Sequence, residues 1–103
     1  MIQALSNVTL KNYTNAAADW RQLSSVVQGE VPIQVYFVLA AQLVTVNGAT
    51  NDGTAAQAEF TAGRSMYYPA GIVYQMFCDP SRTWVRQNTA SGADNTAFVF
   101  KQS

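Results

Sequence analysis

The chain has no histidine. That removes the commonest general base, the Ser–His and Cys–His nucleophile pairs and the commonest metal ligand. Cys78 is the only cysteine, so no intramolecular disulfide can form. Its neighbours Met76, Phe77 and Asp79 offer no cation to lower the thiol pKa, and a buried, inert sulfur is expected. A zinc site would have to be assembled almost wholly from carboxylates, against zinc's preference for nitrogen and sulfur. No metal or cofactor is therefore expected.

Charge is also scarce. Only 12% of the 103 residues are Asp, Glu, Lys or Arg, about half of the ~25% usual in soluble proteins. A folded monomer of this size exposes about 5,700 Å², or one charge per ~470 Å² where an ordinary composition supplies one per ~220 Å². With a net charge of zero, such a surface is poorly protected against self-association. Two explanations stand side by side. The surface is solvated by uncharged Thr, Ser, Asn and Gln, or much of it is covered in an assembly.

The cations Lys11, Arg21, Arg64, Arg82, Arg86 and Lys101 are scattered along the chain, so nucleic acid is not expected as a partner. Arg82, Trp84 and Arg86 alternate, which on a strand would make a surface Arg–Trp–Arg stripe. The longest apolar stretch, Ile33 to Val46, is broken by Gln34, Gln42 and Thr45 and is too short to span a bilayer as a helix. Met1–Leu5 lacks the basic start and apolar core of a signal peptide. The expectation is a soluble protein made in a cytoplasm, with no membrane partner.

What is present is β-forming. Apolar residues make up 49% of the chain, enough for a core without a metal or disulfides. β-branched and aromatic residues alternate between closely spaced turn signals. Strands are expected at Val8–Tyr13, Ile33–Leu39, Leu43–Val46, Ser65–Tyr68, Ile72–Phe77, Thr83–Arg86 and Thr96–Lys101. Arg21–Val27 reads as a further strand or an irregular edge, and Ala55–Thr61 as a weak alternation with Ala56, Ala58 and Phe60 on one side. Asn15–Trp20 is the best helix candidate, a single turn. Asn47–Thr54 and Ala90–Asn95 read as loops, and Tyr68-Pro69-Ala70-Gly71 as a tight corner. Residues 1–103 thus form one all-β domain, an antiparallel β-sandwich or barrel of seven to nine short strands. Ile33, Val35, Phe37, Ile72, Tyr74, Phe98 and Phe100 are expected in its core.

Carboxylate chemistry finds little support. Asp52 precedes a glycine, Asp79 a proline, and Asp94 sits in a Ser-Gly-Ala-Asp-Asn stretch, all settings in which Asp serves a turn. Asp19, Glu30 and Glu59 complete the set without forming a pair in sequence. Gly48 and Gly53 lack the following Lys and helix of a phosphate loop. No enzyme is expected. The remaining chemistry is aromatic. Met66, Tyr67, Tyr68, Trp20 and Trp84 are the interface candidates, because aromatic and Met side chains anchor protein contacts. The alternative for Trp20, Trp84, Tyr67, Tyr68 and Tyr74 is a sugar-stacking platform or plain core filling.

The order of Val8-Thr9-Leu10, Ile33–Val38, Thr61-Ala62-Gly63-Arg64-Ser65-Met66, Ile72–Phe77 and Thr96–Phe100 resembles that of small β-sandwich virion proteins of tailed bacteriophages. The head-decoration or cement proteins and related tail-fibre modules are the families meant. The resemblance implies a structural accessory protein of the virion, made in the host cytoplasm. Its partners would be further copies of itself, as a homo-oligomer, and a major capsid or other virion protein. The alternative it implies is a carbohydrate- or receptor-binding module of a tail fibre.

Overall fold

The computed structural model describes residues 2–10, 16–47, 53–88 and 94–102. Among them eight strands build two four-stranded antiparallel sheets. The strands are β1 (Ile2–Leu10), β2 (Arg21–Gln22), β3 (Val31–Phe37), β4 (Ala41–Thr45), β5 (Met66–Tyr68), β6 (Val73–Cys78), β7 (Thr83–Gln87) and β8 (Asn95–Gln102). One sheet runs β1-β8-β3-β6 and the other β2-β7-β4-β5.

This order has a simple origin. Ile2 faces Gln102, Arg21 faces Val85, Val31 faces Cys78 and Ala41 faces Tyr68. Partner numbers fall as the chain advances, so the molecule is one long hairpin rolled up on itself. Rolling brings β8 beside β3 and β7 beside β4, which closes each sheet. The result is the wiring of an eight-stranded jelly roll, the double-sheet answer to the edge-strand problem.

Between the sheets lies the main core: Leu10, Leu23, Ile33, Val35, Phe37, Ala41, Leu43, Val85, Ala97 and Val99. Ile33, Val35 and Phe37 are buried as the alternation requires, and β3 is a central strand between β8 and β6. β8 is inverted relative to expectation. Ala97 and Val99 point inward, while Phe98 and Phe100 lie half-buried on the outer face. The cause is the register: Phe37 sits beside Ala97 and Val35 beside Val99, so the large Phe37 ring meets the smallest neighbour and the intersheet space fills without overpacking. Asn95 fixes that register. Buried, it accepts the Leu39 N–H and donates to the Leu39 carbonyl, both at 2.7 Å. A one-residue slip would turn every side chain of the strand over. Ile72 is likewise not core. It lies in the turn before β6, half exposed.

A second apolar cluster covers the other face of the β2-β7-β4-β5 sheet. There Val44, Val46 and Trp84 pack against Trp20 and Ala56, with Phe60 at the margin. The cover is a helix, α1 (Thr54–Thr61), and a 3-10 turn at Ala17–Asp19. The turn agrees with the expected single helical turn, but α1 corrects the expected alternating strand. Thr-Ala-Ala-Gln-Ala-Glu-Phe-Thr is rich in strong helix formers. Ala56 and Phe60, four apart, share a helix face as readily as a strand face. Gly63, at φ +80°, stops it. The Gly63 N–H reaches the Phe60 carbonyl and the Arg64 N–H the Glu59 carbonyl, both at 3.0 Å, the paired bonds of a Schellman ending.

Arg86 belongs to this cluster, not to the surface. Fully buried, its guanidinium lies 4.8 Å from the Trp20 ring centre and 4.3 Å from that of Phe60. Gln57 ties the layers together, its Oε1 accepting from Trp20 Nε1 at 2.8 Å and from Arg86 Nη1 at 3.2 Å. The expected Arg–Trp–Arg surface stripe is therefore corrected, because α1 roofs Trp84 and Arg86. Arg21–Val27 contributes only the two-residue β2, after which Ser24 closes a turn by accepting the Val26 and Val27 N–H groups at 3.2 Å. Much of the expected Asn47–Thr54 and Ala90–Asn95 loops, Asp52 among their residues, lies outside the described residues.

Candidate interaction surface

Among the described residues, one sheet has no element packed on its outer face. On the outer face of β1-β8-β3-β6 the outward positions of β3 are Pro32, Gln34 and Tyr36, and those of β6 are Val73, Gln75 and Phe77. β8 contributes Thr96, Phe98 and Phe100, and β1 contributes Ala4, Asn7 and Thr9. None of these described outward residues is charged. The register aligns them in rows: Val73, Tyr36, Phe98 and Asn7 run across the sheet, and Gln75, Gln34, Phe100 and Ala4 form the next row. Tyr36 and Phe98 touch, with ring centres 6.4 Å apart. Exposure rises toward the β6 edge, where Val73 is 58% and Phe77 68% exposed. An apolar face with uncharged polar residues between its aromatics is the composition that marks contact sites in general.

The residues singled out from sequence fall into three places. Met66 and Tyr67 are exposed, at 59% and 55%, on the short edge strand β5. Tyr68 is half-buried at the open side of the sandwich, its ring 4.7 Å from that of Tyr74 and 6.0 Å from that of Phe37. Burial holds its hydroxyl above the usual tyrosine range. Trp20 and Trp84 are buried beneath α1, at 1% and 4% exposure. They cannot anchor a partner, because the chain's own helix occupies the position a partner would take. Phe77 and Val73, at 68% and 58%, are as exposed as Met66 and Tyr67 but are not among the interface candidates, and Phe98, expected in the core, lies half-buried beside them on the outer face. The available signal was that both faces of β6 and β8 are apolar, so one of the two had to face outward.

One depression brings a thiol, carboxylates and a cation together. It has a volume of about 210 Å³ and is lined by Glu30, Thr45, Phe77, Cys78, Asp79 and Arg82. Burial pushes the Cys78 thiol up, and the charges of Asp79 and Glu30 push the same way against a hydrogen bond with Thr83. That holds the thiol protonated, the reverse of an activated nucleophile. The Asp79 carboxylate serves its own turn, accepting from Ser81 Oγ at 2.7 Å and from the Ser81 N–H at 3.0 Å. Glu59 is paired with Arg64 at the end of α1. Asp19 accepts the Ala16 N–H at 3.3 Å, closing the 3-10 turn. Among the described residues, no three of Cys, Asp and Glu gather into a metal-binding group, and no helix is long and apolar enough to cross a membrane.

Comparison with protein-family models, with curated proteins and with solved structures finds no match for this chain.

Proposed function

We propose that the chain is a structural protein of a virion, a decoration or cement subunit that acts through protein–protein contacts, with copies of itself and on a shell lattice. The observation that carries this reading is the uncharged outer face of the β1-β8-β3-β6 sheet, with Tyr36, Phe98, Phe100, Val73 and Phe77 on it. Scarce charge on the chain as a whole becomes, in three dimensions, the absence of charge from one described face. The jelly-roll wiring supports the same reading, since that architecture recurs in viral capsid domains. It also recurs in lectins and cupins, so the wiring alone does not choose among them. The fragments Val8–Leu10, Ile33–Val38 and Thr96–Phe100, which resemble phage virion proteins, all contribute to this sheet.

The test is sedimentation of the purified chain, alone and with phage shells, at low and high salt. Assembly, or co-sedimentation with shells, is expected to persist at high salt, because apolar contact is not screened. Phe98→Asp should weaken association at least tenfold while leaving the fold intact. A chain that stays monomeric and binds no shell under any condition overturns the reading. The carbohydrate- or receptor-binding alternative draws on one observation, the interleaving of Gln34 and Gln75 with Tyr36 and Phe98, which pairs stacking rings with hydrogen-bonding amides. Glycan-array binding lost on Tyr36→Ala would establish that alternative instead.

A further inference from the structure

Among the described residues the sandwich has four edge strands, and three of them carry the devices that normally block pairing with another chain. β2 has two residues and β5 three, too short to template a partner. β1 is interrupted by a register shift between Ala4 and Ser6, a bulge that bends the edge. β6 has none of these. It runs six residues, Val-Tyr-Gln-Met-Phe-Cys, in unbroken register with β3, and it contains no charge, proline or glycine.

Its sequence is moreover complementary to itself. An antiparallel pairing of two β6 strands about Gln75 sets Val73 opposite Phe77 on the outer face and Tyr74 opposite Met76 on the inner face. The first is a β-branched–aromatic cross-strand pair and the second a sulfur–aromatic pair, both favourable. The Gln75 amides meet at the centre, where each can donate to and accept from the other. A two-fold axis perpendicular to the sheet keeps outer face with outer face. The exposed Val73 and Phe77 of each copy are thereby covered, and the uncharged face continues from one copy into the next.

We propose that two copies of this chain join through β6 in that register, forming a continuous eight-stranded sheet with Gln75 on the two-fold axis. The occupant is a second copy because an uncharged edge offers a charged partner no ion pair, whereas its own side chains pair favourably across a two-fold. This inference rests on the assembly reading above and names its first contact.

Cysteine scanning in a Cys78→Ser background tests it. Directly opposed residues of an antiparallel pair have Cα atoms about 4.5–5.5 Å apart, within the span of a disulfide. Gln75→Cys should therefore oxidise to a covalent dimer at least tenfold faster than Val73→Cys or Phe77→Cys alone. A mixture of the Val73→Cys and Phe77→Cys chains should cross-link to each other in preference to themselves. A wild-type chain that sediments as an oligomer, with Gln75→Cys cross-linking no faster than Val73→Cys, overturns the β6 pairing and leaves the assembly reading standing. A wild-type chain that is monomeric at every concentration, with or without shells, overturns both.

Discussion

Gly53→Ala tests the roof over the second apolar cluster. Gly53 immediately precedes α1 and is buried, and a methyl group built on it would stand 1.9 Å from the Ala17 carbonyl oxygen and 2.9 Å from Trp20 Cβ. The first obstacle is backbone, so no rotamer change relieves it. Ordinary contact needs 3.4 Å, so α1 and the 3-10 turn must separate by about 1.5 Å, an overpacking strain of ~1–3 kcal/mol. That displacement also stretches the Trp20 Nε1–Gln57 hydrogen bond, now 2.8 Å, for about 0.5–1.5 kcal/mol more. Against these stands a gain of ~0.4–1 kcal/mol from a stiffer unfolded chain. The expected net loss is about 2–3 kcal/mol. It would be read as a lower urea midpoint with unchanged slope, followed by Trp20 fluorescence. Gly63→Ala is the control. Its methyl meets nothing within 4 Å, but its φ of +80° carries a left-handed penalty of ~1–2 kcal/mol. A Gly53→Ala protein as stable as the wild type, or clearly more stable than Gly63→Ala, would refute the close packing of helix on turn.

Further outcomes follow from the two faces of the β1-β8-β3-β6 sheet and from the Asp79 turn. Phe37→Ala, at a fully buried ring packed on Tyr68 and Tyr74, should cost ~3–5 kcal/mol in urea melts. Phe98→Ala, on the outer face, should cost clearly less, and equal losses would show that β8 is turned the other way. The Ser81 hydroxyl, more than any other group, holds the Asp79 carboxyl below its ordinary range, with the Arg82 charge adding to the effect. A depressed carboxyl contributes stability that is present above its unfolded pKa of about 3.9 and lost as pH falls through the lower native value. Asp79→Asn should therefore lower stability at neutral pH and flatten the stability profile below about pH 4. Parallel profiles for wild type and variant would remove Asp79 from the acid response.

The local sequence determined the all-β class, the strands around Ile33–Phe37, Val73–Phe77 and Thr83–Arg86, and the corner at Tyr68–Gly71. Each is written in period-two alternation and turn chemistry that act within a few residues. A turn at Ala62-Gly63 was equally legible, because Gly63 tolerates the positive φ it adopts there. Ala55–Thr61 was not, since three alanines and one phenylalanine fit either period until a sheet face with Trp84 on it lies beneath them. Nor could alternation say which side of β8 is inside. Ala97/Val99 and Phe98/Phe100 are both apolar sets, and the choice fell to Phe37 on the neighbouring strand and to the clamp of Asn95 on Leu39. The buried tryptophans follow the same logic: a Trp two positions from an Arg reads as a surface stripe until a helix from elsewhere in the chain covers it. The uncharged outer face is the product of both levels. Composition made charge scarce, but only the rolled hairpin put Tyr36, Phe98, Val73 and Phe77 on one surface, because strands far apart in sequence become neighbours only when the sheets close.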